Sequence, residues 1–403
     1  MTESAPKRYA HALIRHLMIF SLFLPAYYSG YQNEYYHDIF ITNIIAILFI
    51  VTIFSKWTLD LKHNIDCVIG IGAGILLYII TNQFNFRQHS EYYFWKNYVP
   101  NAIIAFLFFL ALLLVKDYQK IITDKFIRFA IGTIVLSNLL AIAFRLKGYS
   151  RIRLMNLTHE TYPVNPTFDH YSWVYFDYSE YALILLLCIA FFMVYRPLFK
   201  YIWLYVLSQL VLLVALYLTK SSTFLLAAGI LFGCELVQFL VNRFQIKRKY
   251  VLYSLPVAFL LGCVVLLVLF KQVDSFHMKY LIWKGNWQVI LDNPPGLSAS
   301  FGALLYDVEN VALQQNQAHN VFLNHMLRYS LPVGLVYTLM FAVIVVCSFI
   351  RHPNYRTLGI WGALLLTMNM EYALQEIHLP FVLFMLYCLF FRTDERKMTG
   401  ADI

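Results

Sequence analysis

The residues of this chain best suited to chemistry are a histidine–asparagine pair, His319 and Asn320. The pair closes the longest polar interval of the sequence and comes directly before a hydrophobic segment. The unperturbed pKa of histidine allows proton transfer near neutral pH. His319, at the mouth of a predicted membrane helix and facing a large loop, is therefore a candidate base for a reaction on a membrane-bound substrate. The competing interpretation is a polar anchor at the membrane surface.

A lysine followed by three hydroxyl residues forms a candidate anion site. Lys220 stands before Ser221, Ser222 and Thr223, at the outer end of a predicted span. The free N–H groups and the dipole of a helix N-terminus add to the charge of a nearby cation, which favours phosphate. The hydroxyl groups supply further donors and an N-cap. The alternative is a capped helix whose lysine only reaches the lipid head groups.

A second cationic region lies on a segment with helical spacing. Lys279 and Lys284 stand within Met278–Leu291, and the run DNPPG that follows ends the segment. One apolar stripe recurs at three to four residues, at Tyr280, Trp283, Trp287 and Ile290 or Leu291. Such a helix is expected to lie on the membrane surface or to cover the bundle. Its lysines either bind an anion or extend to lipid head groups.

A carboxylate, Glu371, lies at the outer end of a short predicted span. Carboxylates at membrane depth are costly, and they commonly have a function or a partner. Lys220 and His378 are the two candidate partners, and the sequence does not choose between them.

Motifs of soluble enzymes, metal sites and cofactor sites are missing from the sequence. There is no phosphate-binding Walker loop and no HExxH zinc motif. The six cysteines all fall in apolar runs, without CxxC spacing and without a histidine cluster nearby. We therefore expect no disulfide, no metal and no cofactor.

The composition points to a protein of the lipid bilayer. Of the 403 residues, 60% are hydrophobic and only 13% are charged, whereas a soluble domain carries about 25% charged residues. Aromatic residues make up 18% of the chain, as expected for belts at the membrane interface. The net charge of +9 is spread over short joints between apolar runs, which argues against a nucleic-acid partner.

The apolar runs predict an all-α polytopic membrane protein of about 12 helices, since a span needs about 20 apolar residues. The chain is expected to form one integral-membrane domain, residues 1–403, with residues 271–325 as its large outer loop. The last two spans are short. The predicted spans are Leu13–Tyr28, Ile39–Phe54, Ile65–Thr81, Tyr98–Val115, Phe126–Phe144, Glu180–Tyr195, Tyr201–Leu218, Thr223–Val241, Val251–Phe270, Leu331–Ile350, Leu358–Met370 and Leu379–Phe391.

The distribution of lysine and arginine predicts the orientation of these spans. With the N-terminus inside, the inner joints hold roughly twice as many Lys and Arg residues as the much longer outer joints, in agreement with the positive-inside rule. Both termini are therefore expected in the cytoplasm, and the large loop on the other side of the membrane.

Three segments resemble motifs of the bacterial O-antigen ligase and O-antigen polymerase superfamily, and they follow one another along the chain in the family's order. The members of this superfamily are multispan glycosyltransferases of the cell envelope. HNVFL, from His319, is similar to the family's HN-x-x-L pattern at the end of its large periplasmic loop. TKSSTFLLAA, from Thr219, resembles the segment T-x-S-R-x-x-L-L-A, which opens a helix. KYLIW, from Lys279, followed by DNP, resembles the stretch R-x-x-x-W…NP. The resemblance covers about half of the chain.

The chain departs from the family pattern at the cations. Ser222 and Lys279 stand where the family commonly has arginine, and Lys220 can replace the first cation. Lysine lacks the bidentate donor geometry of arginine. The family's small residue after the histidine corresponds to Ser330, and its later glycine is displaced to Gly334.

The resemblance implies a fold like that of the GT-C glycosyltransferases and a reaction without metal or nucleotide sugar. A glycan on undecaprenyl pyrophosphate would pass to an acceptor hydroxyl at the periplasmic face of the inner membrane. His319 would be the base, and Lys220 and Lys279 would hold the pyrophosphate. The supporting residues would be Asn320, Ser222, Lys284 and Glu371.

The acceptor separates two activities within this family. A ligase uses lipid A–core, a polymerase uses another lipid-linked glycan, and the single dominant outer loop favours the ligase. The rival class is a polysaccharide transporter or flippase. A transporter would show inverted repeats and broken helices at the midplane, and the sequence shows neither.

Overall fold

The structure is a computed structural model, and helices account for 84% of the residues it describes. The mostly helical character of the predicted class is therefore confirmed, and the described residues also include two β-hairpins. The first four predicted spans lie mostly outside these residues, and Glu371 lies outside them entirely. The described residues are 122–153, 158–161, 170–175, 178–272, 274–296, 304–308, 311–315, 318–328, 330–370 and 380–391, the stretches 46–51 and 107–114, and residues 16, 19, 65, 68, 69, 72 and 104.

From residue 124 onward, the described residues form α-helices and two antiparallel hairpins. The helices are α1 (Asp124–Leu146), α2 (Tyr178–Val194), α3 (Ile202–Leu218), α4 (Ser222–Arg243), α5 (Arg248–Gln272), α6 (Asp274–Asp292), α7 (Val321–Arg328), α8 (Leu331–Arg351), α9 (Tyr355–Met370) and α10 (Pro380–Phe390). One hairpin pairs β1 (Tyr149–Arg153) with β2 (Thr158–Thr161), and the other pairs β3 (Leu304–Val308) with β4 (Val311–Gln315).

The eight predicted spans from Phe126 onward are all helices, and their ends lie within three residues of the predicted ones. Within the described residues, α1, α4 and α8 are long and apolar enough to cross a membrane. The helices α2 and α3, and the segment Lys249–Gly262 of α5, are shorter apolar stretches. The membrane character is thus supported, while the number of spans and their orientation stay predictions.

The chain forms two compact units, each made of separate stretches of sequence. The first contains Met1–Val68, Pro100–Ala228 and Glu376–Ile403, and the second contains Ile69–Val99 and Gly229–Gln375. The division falls inside α4, between residues 228 and 229.

The core of the first unit is built around α2, in which every residue from Tyr181 to Val194 is buried. Aromatic hydroxyl groups satisfy polar groups of α1. The hydroxyl of Tyr181 donates to Asn138 Oδ1 at 2.8 Å, and that of Tyr171 donates to the carbonyl of Ala141 at 2.6 Å. These bonds fix α2 and the segment before it against α1, because a buried polar group without a partner is costly.

The second unit contains a charged pair between α4 and α9. Arg356 binds Glu235 through two contacts, Nε to Oε2 at 2.6 Å and Nη2 to Oε1 at 2.5 Å. The two helices approach closely at Gly359, where an added Cβ would lie 2.6 Å from Cys234 Cβ. Arg356 is buried in this pair. The carboxylate of Glu235 therefore has the partner that a charge at membrane depth requires.

The helices α7 and α8 also meet at a glycine. A Cβ on Gly334 would lie 2.2 Å from Met326 Cγ and 2.6 Å from the Met326 backbone nitrogen. No side chain larger than hydrogen fits there without moving α7, and α7 begins just after the His319–Asn320 pair.

Replacement of Gly334 by alanine is expected to destabilise the protein by about 1–3 kcal/mol, the usual cost of overpacking. It should also impair any activity that depends on His319, since α7 must shift. Gly233→Ala is the matched control, because Gly233 is inside α4 with nothing within 4 Å of its added Cβ. Thermal unfolding in detergent measures both variants. Equal unfolding midpoints would contradict the predicted close packing.

Candidate functional site

The helix that carries Lys279 is α6, which includes the predicted segment Met278–Leu291. Its buried face contains Ile290, which packs with Met326 and Leu327 of α7. Trp287, from the predicted stripe, is 43% exposed. Tyr280 and Leu291 of that stripe are exposed as well, whereas Trp283 is half-buried and Ile290 belongs to the protein side. The predicted stripe is therefore divided between an exposed face and the protein side of α6. Sequence spacing could not separate the two faces, because both satisfy helical periodicity.

Asn320 caps α7 and ties it to α9. Its Oδ1 accepts hydrogen bonds from the backbone N–H groups of Phe322 and Leu323, both at 3.0 Å. Its Nδ2 donates to Asn369 Oδ1 at 2.8 Å. Asn320 is buried, and its three hydrogen bonds fix the start of α7 directly after His319. Sequence reasoning missed Asn369, since nothing local marks a partner 49 residues away.

The backbone of His319 adopts the left-handed conformation, with φ of 47°. This conformation costs a residue with a side chain roughly 1–2 kcal/mol. It persists only where the surroundings fix it, and such outliers are concentrated at functional sites. Here the cap formed by Asn320 supplies that constraint.

The structure brings together the two site residues that the sequence predicted for the large loop. Lys279 Nζ lies 2.8 Å from His319 Nδ1, although the two residues are 40 positions apart. An ammonium group can only donate, so Nδ1 accepts this bond. The neutral ring then carries its proton on Nε2.

The imidazole is neutral at physiological pH. Burial, and to a smaller extent the positive charge of Lys279, lower the pKa of His319 to about 4. The neutral form is the one that can take a proton from a hydroxyl group. Nδ1 becomes available for that step only when Lys279 withdraws from it.

Two of the other supporting residues, Lys284 and Ser222, are exposed. Lys284 is exposed on α6. It lies five positions after Lys279, which places it roughly 140° around the helix. Ser222 is exposed as the first residue of α4, in the first unit. Glu371 lies outside the described residues.

Lys220 lies in the first unit, in the turn between α3 and α4. It too is left-handed, with φ of 61°, and its Nζ lies 4.9 Å from the centre of the Tyr217 ring. The N-cap is Ser221, whose carbonyl accepts from the backbone N–H of Leu225 at 3.2 Å. Glycine is usual at the position directly after a helix. A lysine with a left-handed backbone at this position therefore carries a conformational cost.

Replacement of Lys220 by glycine separates its backbone role from its charge. Glycine relieves the left-handed strain, so the variant should be more stable by about 0.5–1 kcal/mol, yet it should lose anion binding. Gln245→Gly is the control, because Gln245 is also left-handed, with φ of 50°. Thermal unfolding and glycan transfer are the measurements. Full activity in Lys220→Gly would show that Lys220 does not bind the phosphate and only reaches the lipid head groups.

A second histidine in this region, His325, has a structural role. It is buried, its Nδ1–H donates to the carbonyl of Val321 at 2.8 Å, and its ring stacks on Tyr337 at 3.9 Å. These contacts belong to the packing between α7 and α8. Its position one turn beyond His319 therefore does not make it part of the half-buried pair of Lys279 and His319.

The described residues contain no group of three His, Cys, Asp or Glu side chains that could hold a metal ion. Compared with known proteins, the chain matches no family model. It matches no curated protein with significance.

Proposed function

We propose that this protein is a membrane glycosyltransferase of the O-antigen ligase type. It moves a glycan from undecaprenyl pyrophosphate to an acceptor hydroxyl at the periplasmic face. The observation that carries the proposal is the 2.8 Å hydrogen bond between Lys279 and His319. It joins a cation and a candidate base that come from two separate motifs.

The cation serves the leaving group. When the bond between sugar and phosphate breaks, negative charge develops on the pyrophosphate, and a fixed cation stabilises that charge. Lys279 is suited to this role because its position on α6 is held by the buried residues of that helix. The resemblance implies the same class of role, anion binding, for Lys220 in the first unit.

The histidine serves the acceptor. The incoming pyrophosphate competes for the N–H groups of Lys279 and draws the ammonium away from His319 Nδ1. The freed nitrogen takes the proton of the acceptor hydroxyl. The acceptor oxygen bonds to the anomeric carbon as the bond from that carbon to the phosphate oxygen breaks, and the electron pair of that bond leaves with the pyrophosphate. Binding of the donor thus creates the base that the transfer requires.

The acceptor proposed is lipid A–core, so the activity is ligation. The supporting feature is the single dominant outer loop of the sequence, residues 271–325. A polymerase would use the same donor chemistry with a lipid-linked glycan as acceptor. A flippase would need no base at all, and the neutral imidazole beside a cation has no evident use in it.

Deletion of the gene in its bacterial host tests the assignment. A ligase mutant retains long glycans on the lipid carrier and shows none on lipid A–core. A polymerase mutant shows single repeat units on lipid A–core, and a flippase mutant retains short lipid-linked units on the cytoplasmic side. Gel analysis of lipopolysaccharide, with a plasmid copy as control, distinguishes these outcomes. Unchanged surface glycans would contradict the proposal.

A further inference from the structure

An imidazole in the first unit is held rigidly although it is exposed. His170 Nδ1 lies 2.9 Å from the backbone carbonyl of Thr219. The ring stacks on Tyr178, with centroids 3.9 Å apart and planes 12° apart. One contact fixes the direction of the nitrogen and the other fixes the plane of the ring.

The contact with Thr219 also fixes the tautomer. A backbone carbonyl can only accept, so Nδ1 carries the proton and Nε2 presents a lone pair. Within the part of the chain that the structure describes, Nε2 has no hydrogen-bond partner. The ring therefore offers a fixed, exposed acceptor, which suits a hydroxyl group.

The same turn carries a cation. Thr219, whose carbonyl holds His170, is fully buried, and the next residue is Lys220. Beyond it, Ser221 is 4% exposed, and its buried Oγ has no partner among the described residues. A fixed hydrogen-bond acceptor and a left-handed lysine are thus anchored to one buried turn.

We propose that His170 binds a hydroxyl group of the sugar attached to the phosphate that Lys220 binds. A sugar phosphate offers both a hydroxyl donor for Nε2 and an anion for the ammonium group. His170 would then help to select the first sugar of the donor. The proposal rests on the proposed function, and it assigns His170 a hydrogen bond to the substrate without transfer of a proton.

A purely structural role for His170, as a tether of the turn, predicts different behaviour in an asparagine variant. The amide Nδ2 of asparagine can take the place of His170 Nδ1 and keep the bond to Thr219. Asparagine has nothing at the position of Nε2. His170→Asn therefore keeps the tether and removes the acceptor.

The test uses purified full-length protein and synthetic polyprenyl-pyrophosphate disaccharides. One donor has every hydroxyl, and each of the others lacks one hydroxyl of the first sugar. For the wild-type protein, kcat/KM should fall about tenfold with one of the deoxy donors, as for the loss of one hydrogen bond. In His170→Asn the two donors should react equally. His277→Asn, at an exposed histidine of α6, should retain the wild-type preference.

Two results would overturn the inference alone. Either the wild-type protein transfers all donors equally well, or His170→Asn keeps the wild-type preference. Absence of transfer from every donor by the wild-type protein would instead refute the proposed function, and the inference with it.

Discussion

Replacement of His319 by asparagine is expected to lower glycan transfer by about 10²–10⁴-fold, the usual contribution of a general base. Asparagine tolerates the left-handed backbone, so the loss should come without a change in thermal unfolding. Alanine should lose the same activity, and it keeps the left-handed strain that the histidine already carries. Transfer of surface polysaccharide in the deletion strain, with protein level checked by blot, measures the effect.

The chain offers a matched control for the backbone strain. Gln245 is left-handed, with φ of 50°, and no role in the site is proposed for it. Gln245 is exposed, and Gln245→Ala should keep full transfer, which would show that alanine on a left-handed backbone does not by itself abolish the activity. Full transfer in both His319 variants would make His319 a polar anchor and remove the catalytic assignment.

Removal of the charge of Lys279 is expected to have the second-largest effect. Lys279→Met should lower kcat by about 10²–10³-fold, the range found when one fixed donor to a developing anion is lost. Lys279→Arg should retain much of the activity, because the charge is kept. Steady-state kinetics with a lipid-linked donor measures both variants. Wild-type rates in Lys279→Met would place the phosphate contact elsewhere.

The same variant changes the pH dependence in a defined direction. The neutral imidazole is the active form, so kcat/KM falls as pH decreases through the pKa of His319, which is about 4 in the wild-type protein. Burial is the larger cause of this low pKa, and the charge of Lys279 is the smaller one. Lys279→Met removes only the charge and leaves the burial. The apparent pKa of the acid limb should therefore rise but remain below 6.5. An acid limb that stays at about 4 would show that His319 is not the titrating group.

The helices could be predicted from the sequence because their signals are local. The spacing within Met278–Leu291 predicted α6, and the apolar runs predicted the eight spans from Phe126 onward. The errors at the helix ends are small. The motifs also named Lys279 and His319, which the fold brings into contact. In each case the types and spacing of neighbouring residues are enough to predict the feature.

The remaining features of the site depend on contacts between distant segments. The bond from Asn320 to Asn369 joins positions 49 apart, and that from His170 to Thr219 also joins positions 49 apart. The left-handed backbone of His319 follows from the cap and from its contact with Lys279. None of these leaves a periodic pattern in the sequence, so only the folded chain shows them.

The proposed function is tested most directly by transfer with the purified protein in lipid vesicles. The donor is an undecaprenyl-pyrophosphate oligosaccharide, the acceptor is lipid A–core, and neither metal nor nucleotide sugar is added. We expect a glycosylated acceptor and one released undecaprenyl pyrophosphate per transfer, both lost in His319→Asn. Absence of product from well-folded wild-type protein, or equal product from His319→Asn, would contradict it.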